Sequence, residues 1–90
     1  MKTVFKFYSD AGHGWLQVPK LLLDDLGIAE KITSFSYQRG DYAYLEEDVD
    51  LSTFIKSLRQ RGIEPGFLEY HSEYSEIRSF NPYCYESAMS

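Results

Sequence analysis

Hydrophobic and polar positions change period several times along the chain, and each change marks an element. Lys2, Val4, Lys6 and Tyr8 alternate with Thr3, Phe5 and Phe7, so a strand with one apolar face is predicted over Val4–Tyr8. Ser9-Asp-Ala-Gly12 has the residues of a turn, and a second strand over His13–Val18 follows, antiparallel because the connection is short. Pro19 suits the first turn of a helix over Lys20–Leu26. Leu22 and Leu26 share one side of it, and Gly27-Ile28 has the pattern of a C-terminal stop. Ser34–Arg39 and Tyr42–Glu46 flank Gly40-Asp41, a pair suited to a type II′ hairpin turn in which Tyr37 opposes Tyr44 and Arg39 opposes Tyr42. Asp50 stands where an N-cap belongs. Leu51, Phe54, Ile55 and Leu58 then give the stripe of a helix over Leu51–Arg61, with Gly62-Ile63 repeating the earlier ending.

Glu64-Pro65-Gly66 reads as a loop, Phe67–Tyr70 as a strand, and Ser72–Glu76 as a polar turn. Ile77–Phe80 is expected as a short edge strand stopped by Asn81-Pro82. The order is ββαββαβ with a final β. This is an α+β fold: a single domain over residues 1–82, a mainly antiparallel sheet with two helices packed on one face, and a loose tail over 83–90.

Composition narrows the function classes. In ninety residues, 43% are hydrophobic, enough to close one core without metal or disulfide. The formal net charge is −5, and the basic residues Lys56, Arg59 and Arg61 are confined to one predicted helix. That argues against direct nucleic-acid binding, while an acidic chain can compete for a protein that binds nucleic acid. Cys84 is the single cysteine, so no internal disulfide forms, which fits a reducing compartment. Met1–Tyr8 reads as a strand rather than a signal peptide, and no apolar run reaches membrane-spanning length. A cytoplasmic location, with no membrane partner, is expected.

Candidate chemistry concentrates in Asp41–Asp50. Asp41, Glu46, Glu47, Asp48 and Asp50 are acidic, none of the ten residues is basic, and Tyr42 and Tyr44 lie among them. The stretch fits a solvated, helix-capping face, a docking surface for a basic partner in which Trp15 adds contact area, or a divalent-cation site. It lacks the alternating ligands and central Gly of an EF-hand. An enzymatic alternative uses His13, His71 and Asp10 as acid, base and orienting groups of a small hydrolase or nuclease-like site. Ser9 beside Asp10 and His13 has the residue types of a triad, but turn residues can equally serve the turn itself. Gly12-His-Gly14 leaves room for a ligand or another chain to approach closely. Arg78 is a candidate partner for the acidic stretch. No Cys or His spacing suggests a metal, and no cofactor is expected. A homodimer, paired through an edge strand or the aromatic hairpin face, is a further possibility.

The strings Ser9-Asp-Ala-Gly-His-Gly-Trp15, Leu26-Gly-Ile28, Lys31-Ile32, Ser36-Tyr-Gln-Arg-Gly40, Tyr44-Leu-Glu-Glu-Asp48 and Ile77-Arg-Ser79 are similar to those of small uncharacterised proteins encoded by phages, prophages and plasmids. The resemblance spans residues 8 to 80. It carries no activity with it. It implies a mobile-element gene, and small accessory proteins of such elements often bind and inhibit host nucleic-acid-binding or defence machinery, in the manner of anti-CRISPR or anti-restriction proteins.

Overall fold

Phe5 and Phe7 of the first strand, and Leu16 and Val18 of the second, all turn to one side of a sheet and are buried there. A computed structural model describes residues 2–85. The elements are β1 (Lys2–Ser9), β2 (Gly14–Pro19), α1 (Lys20–Asp25), β3 (Tyr37–Arg39), β4 (Tyr42–Glu46), α2 (Leu51–Gln60), β5 (Glu64–His71) and β6 (Asn81–Pro82). Single 3-10 turns occur at Ala29–Lys31 and Glu76–Ser79. The expected α+β order is present. The strands form one sheet in the order β5-β1-β2-β4-β3-β6, antiparallel throughout except for β1 with β5.

Both helices lie on the Phe5 face. Leu23 and Leu26 from the α1 segment and Phe54 and Leu58 from α2 close the main core over Leu16, Val18, Ala43 and Leu45. Phe54 meets Phe5 edge-on, with ring centroids 5.2 Å apart. The two helices end alike: Ile28 N–H donates to Leu23 O, and Ile63 N–H to Leu58 O, each at 3.0 Å. The hairpin has the expected register, Tyr37 against Tyr44 and Arg39 against Tyr42. Gly40 has φ +58° and among the described residues no non-glycine residue has positive φ, which fits type II′ and not type I′.

The opposite face carries a second, aromatic cluster. Trp15, Tyr44 and Ile77 are buried there, with Tyr8, Tyr37 and Phe80 packed around them. Both faces of the hairpin are therefore used: Ala43 and Leu45 in the main core, Tyr44 in the second.

Four expectations are corrected. Ile77–Phe80 is not a strand: Glu76–Ser79 winds as a 3-10 turn capped by the Ser75 hydroxyl, and only Asn81–Pro82 pairs, with β3. Residues 34–36 form a turn, so the third strand starts at Tyr37. Pro65 lies inside β5 and not in a loop, at an outer-edge position where no ladder hydrogen bond needs its missing N–H. The tail is held at its start: Tyr83 is buried, its hydroxyl donates to Ala29 O at 2.6 Å and its N–H to Ser36 O at 2.8 Å. Residues 86–90 lie outside the described residues.

Candidate functional site

The β1–β2 turn is shaped by Asp10. Its Oδ1 accepts the N–H groups of Gly12 and His13, each at 3.0 Å, which is an Asx turn. The same carboxylate grips Arg78 from the far end of the chain through Nε at 2.6 Å and a terminal nitrogen at 2.7 Å, and also takes Ser75 N–H at 3.1 Å. The guanidinium and these N–H groups hold the Asp10 carboxyl far below the usual carboxylate range, against the opposing effect of burial. Arg78 in turn lies over the rings of Trp15 and Tyr74, at 5.4 and 5.5 Å. The partner of Arg78 is thus Asp10, and not the Asp41–Asp50 stretch.

This clamp seats Trp15 at the base of a cleft. Its walls are His13, Trp15, Phe35, Tyr37 and Val49, with the carboxylates of Glu46 and Asp48 beside them and Arg78 at one side. The cleft holds about 330 Å³. Tyr37 stands edge-on to Trp15 at 6.2 Å, and the His13 ring lies 5.9 Å away. Phe35 is 70% exposed at the rim. Glu46 is buried, with Oε1 3.3 Å from His13 Nδ1 and Oε2 accepting Asp48 N–H at 2.8 Å. Among the described residues, the Trp15 indole N–H is the buried side-chain donor without a hydrogen-bond partner, a cost of about 1–3 kcal/mol.

His13, Glu46 and Asp48 each bring a ligand atom within 4.8 Å of the others. One imidazole nitrogen and two carboxylates suit a borderline divalent ion. Glu46 is already engaged at both oxygens, so a metal here would have to displace the imidazole contact.

The acidic stretch does not form one platform. Asp50 is 2% exposed and faces inward, where its carboxylate accepts the Thr33 N–H and hydroxyl and the Ser36 hydroxyl, the last at 2.6 Å. It holds the N-cap position of α2 but makes no side-chain capping bond. Glu46 and Asp48 face the cleft, while Glu47 lines a groove with Phe7, Leu51, Phe67 and Glu69 on the helical side. Asp41 sits in the hairpin turn at the other end of β4, with Tyr42 half-exposed beside it. Tyr44 and Trp15 are core residues. Of the five acids only Glu46 lies in β4; Glu47, Asp48 and Asp50 belong to the turn that leads into α2, which sends neighbouring carboxylates in different directions.

The candidate catalytic residues do not converge either. His71 is on the helical face, its Nδ1 3.1 Å from the Ser9 hydroxyl, whereas His13 is on the Trp15 face. Ser9 pairs with both Gly14 and His71, so β1 separates the two histidines' strands by two spacings, roughly 10 Å. Asp10 is committed to Arg78. Gly14 leaves no room for a ligand, because a Cβ there would stand 2.4 Å from the Phe7 ring.

The cleft residues Phe35, Tyr37 and Val49 were missed in the sequence, and Arg78 was read as a partner of the acidic stretch. Phe35 next to Ser34 and Ser36 was the available signal, an aromatic in a turn-prone triplet. Comparison finds no matching protein-family model, curated protein or solved structure. Among the described residues no helix is long and apolar enough to cross a membrane.

Proposed function

We propose that this chain is a non-enzymatic binding protein of a mobile genetic element, and that its cleft takes a lysine or arginine side chain from the basic surface of a host nucleic-acid-binding or defence protein, inhibiting it. One observation carries the reading: Phe35 and Tyr37 wall a cleft that the buried Trp15 floors, and Asp48 presents an exposed carboxylate there beside the buried one of Glu46. Aromatic faces and carboxylates together are the surroundings that a desolvated ammonium or guanidinium requires. Arg78 lines the same cleft, but its charge is matched by Asp10 and does not repel an incoming cation. The net charge of −5 steers a basic partner toward the chain.

Calorimetric titration with an arginine-rich peptide tests this. Affinity is expected to fall as salt rises, because exposed charges are screened, and to drop roughly tenfold in Asp48→Asn, on the scale of one charge-assisted contact. Absence of binding at low salt, or equal binding by Asp48→Asn and the parent, refutes it.

A further inference from the structure

Strand β5 is an edge of the kind that proteins normally shield. It is eight residues long and parallel to β1, and no strand pairs with its other side among the described residues. Parallel strands are ordinarily covered on both faces. Here Phe67 on the helical face is 47% exposed, and Leu68 and Tyr70 on the other face are 49% and 44% exposed.

The hydrogen-bonding pattern of this edge can be read from one contact. Ser72 N–H donates to Ser9 O. By alternation along the strand, even-numbered residues of β5 turn their main-chain groups to β1 and odd-numbered residues turn theirs outward. The outer edge therefore presents the N–H groups of Phe67, Glu69 and His71 and the carbonyls of Pro65, Phe67, Glu69 and His71. Pro65 falls on the side where a donor would be unpaired in a single chain.

Charge is divided along the side of α2 that borders β5. Glu47 and Glu69 flank Phe7, Leu51 and Phe67 at one end. Lys56 and Arg59 follow Leu51 and Ile55 in an adjoining hollow of α2, whose near end Glu47 also lines; Arg59 pairs with Glu64 of β5 at 3.3 Å, which leaves Lys56 as the charge of this end. A partner that carries the same side in the reverse direction brings its acidic end to this basic end, and the converse. A second copy in antiparallel orientation meets that condition.

We propose that β5 pairs antiparallel with β5 of a second copy of this chain across a two-fold axis at Leu68, joining the two sheets into one. In that register Leu68 faces Leu68 of the second copy, and Phe67 exchanges both main-chain hydrogen bonds with Glu69. His71 N–H meets the Pro65 carbonyl. Tyr70 covers Gly66 in a non-hydrogen-bonded pair, where side chains approach most closely and a ring shields a strand glycine. Glu69 of each copy points toward Lys56 of the other. The interface is isologous and closes at two chains. It uses no residue of the Trp15 cleft, so it stands or falls separately from peptide binding there.

Sedimentation of the full chain over a concentration series tests the proposal. The expected result is a mass that rises from one chain to two and stops. Glu69→Pro removes an outward N–H while leaving the β1 pairing intact, and is expected to give one chain with unchanged circular dichroism. Should that variant misfold, charge reversal decides. Glu69→Lys and Lys56→Glu each weaken association roughly tenfold, and the double variant restores it. A single-chain mass at every concentration overturns the proposal, as does a dimer indifferent to these substitutions or assembly beyond two chains.

Discussion

Asp10 and Arg78, 68 positions apart, are joined by two charge-assisted hydrogen bonds of 2.6 and 2.7 Å. This pair fastens the Glu76–Ser79 turn across the sheet and holds the guanidinium over Trp15. Asp10→Asn is expected to lower the melting temperature and to red-shift Trp15 emission, because the residues covering the indole lose their anchor. The pH dependence has a definite sign. The folded carboxyl lies below its ordinary value of 3.8, so the contribution is complete above that value and is lost as pH falls toward the folded value. Melting temperatures between about pH 5 and about pH 2 should therefore fall more steeply in the parent than in Asp10→Asn. Parallel curves would show that the pair does not couple to folding.

Tyr83 provides the opposite limb. Burial pushes its hydroxyl from 10.0 up to about 12. The unfolded chain ionises first, so stability is intact below pH 10.0 and is lost toward pH 12. Tyr83→Phe is expected to cost about 1 kcal/mol at neutral pH through the lost bond to Ala29 O, and to reduce the alkaline loss. Urea unfolding at neutral and alkaline pH checks both.

Asp50 and Asp41 separate inward from outward acids. Asp50→Ala leaves the Thr33 and Ser36 donors without their acceptor and is expected to cost about 3 kcal/mol. Asp41→Ala, in the exposed turn, should stay within about 0.5 kcal/mol. Similar losses at the two positions would contradict the placement of Asp50.

Much of this fold was legible because single-face burial leaves a period. The Phe5/Phe7 alternation and the Leu51, Phe54, Ile55, Leu58 stripe each meet the main core as read. The Gly40-Asp41 register also followed, since turn geometry is local. What failed was decided by distant partners. Ile77–Phe80 has strand-like composition, but Ser75 and Asp10 draw it into a turn. The inward rotation of Asp50 depends on Thr33 and Ser36, and Pro65 is admissible in β5 only because that strand is an edge. The cleft was half visible: Trp15, Glu46 and Asp48 were singled out, while Phe35 and Tyr37 were read as strand residues without a view of what they enclose.

Gly14→Ala tests the tight approach of β1 to the turn. The added Cβ would sit 2.4 Å from the Phe7 ring, for a cost of about 1–3 kcal/mol. Adding Phe7→Leu should recover part of that loss in urea unfolding. No loss in the single variant would place the ring elsewhere.

The central claim, that the Trp15 cleft receives a cationic side chain, is tested most directly by the emission of the single tryptophan. Titration with an arginine-rich peptide at low salt should change Trp15 emission saturably in the parent chain. The change should be much reduced in Phe35→Ala and Asp48→Asn, whose substituted side chains are exposed. Emission that stays constant in the parent, or changes equally in all three proteins, contradicts the assignment of the cleft.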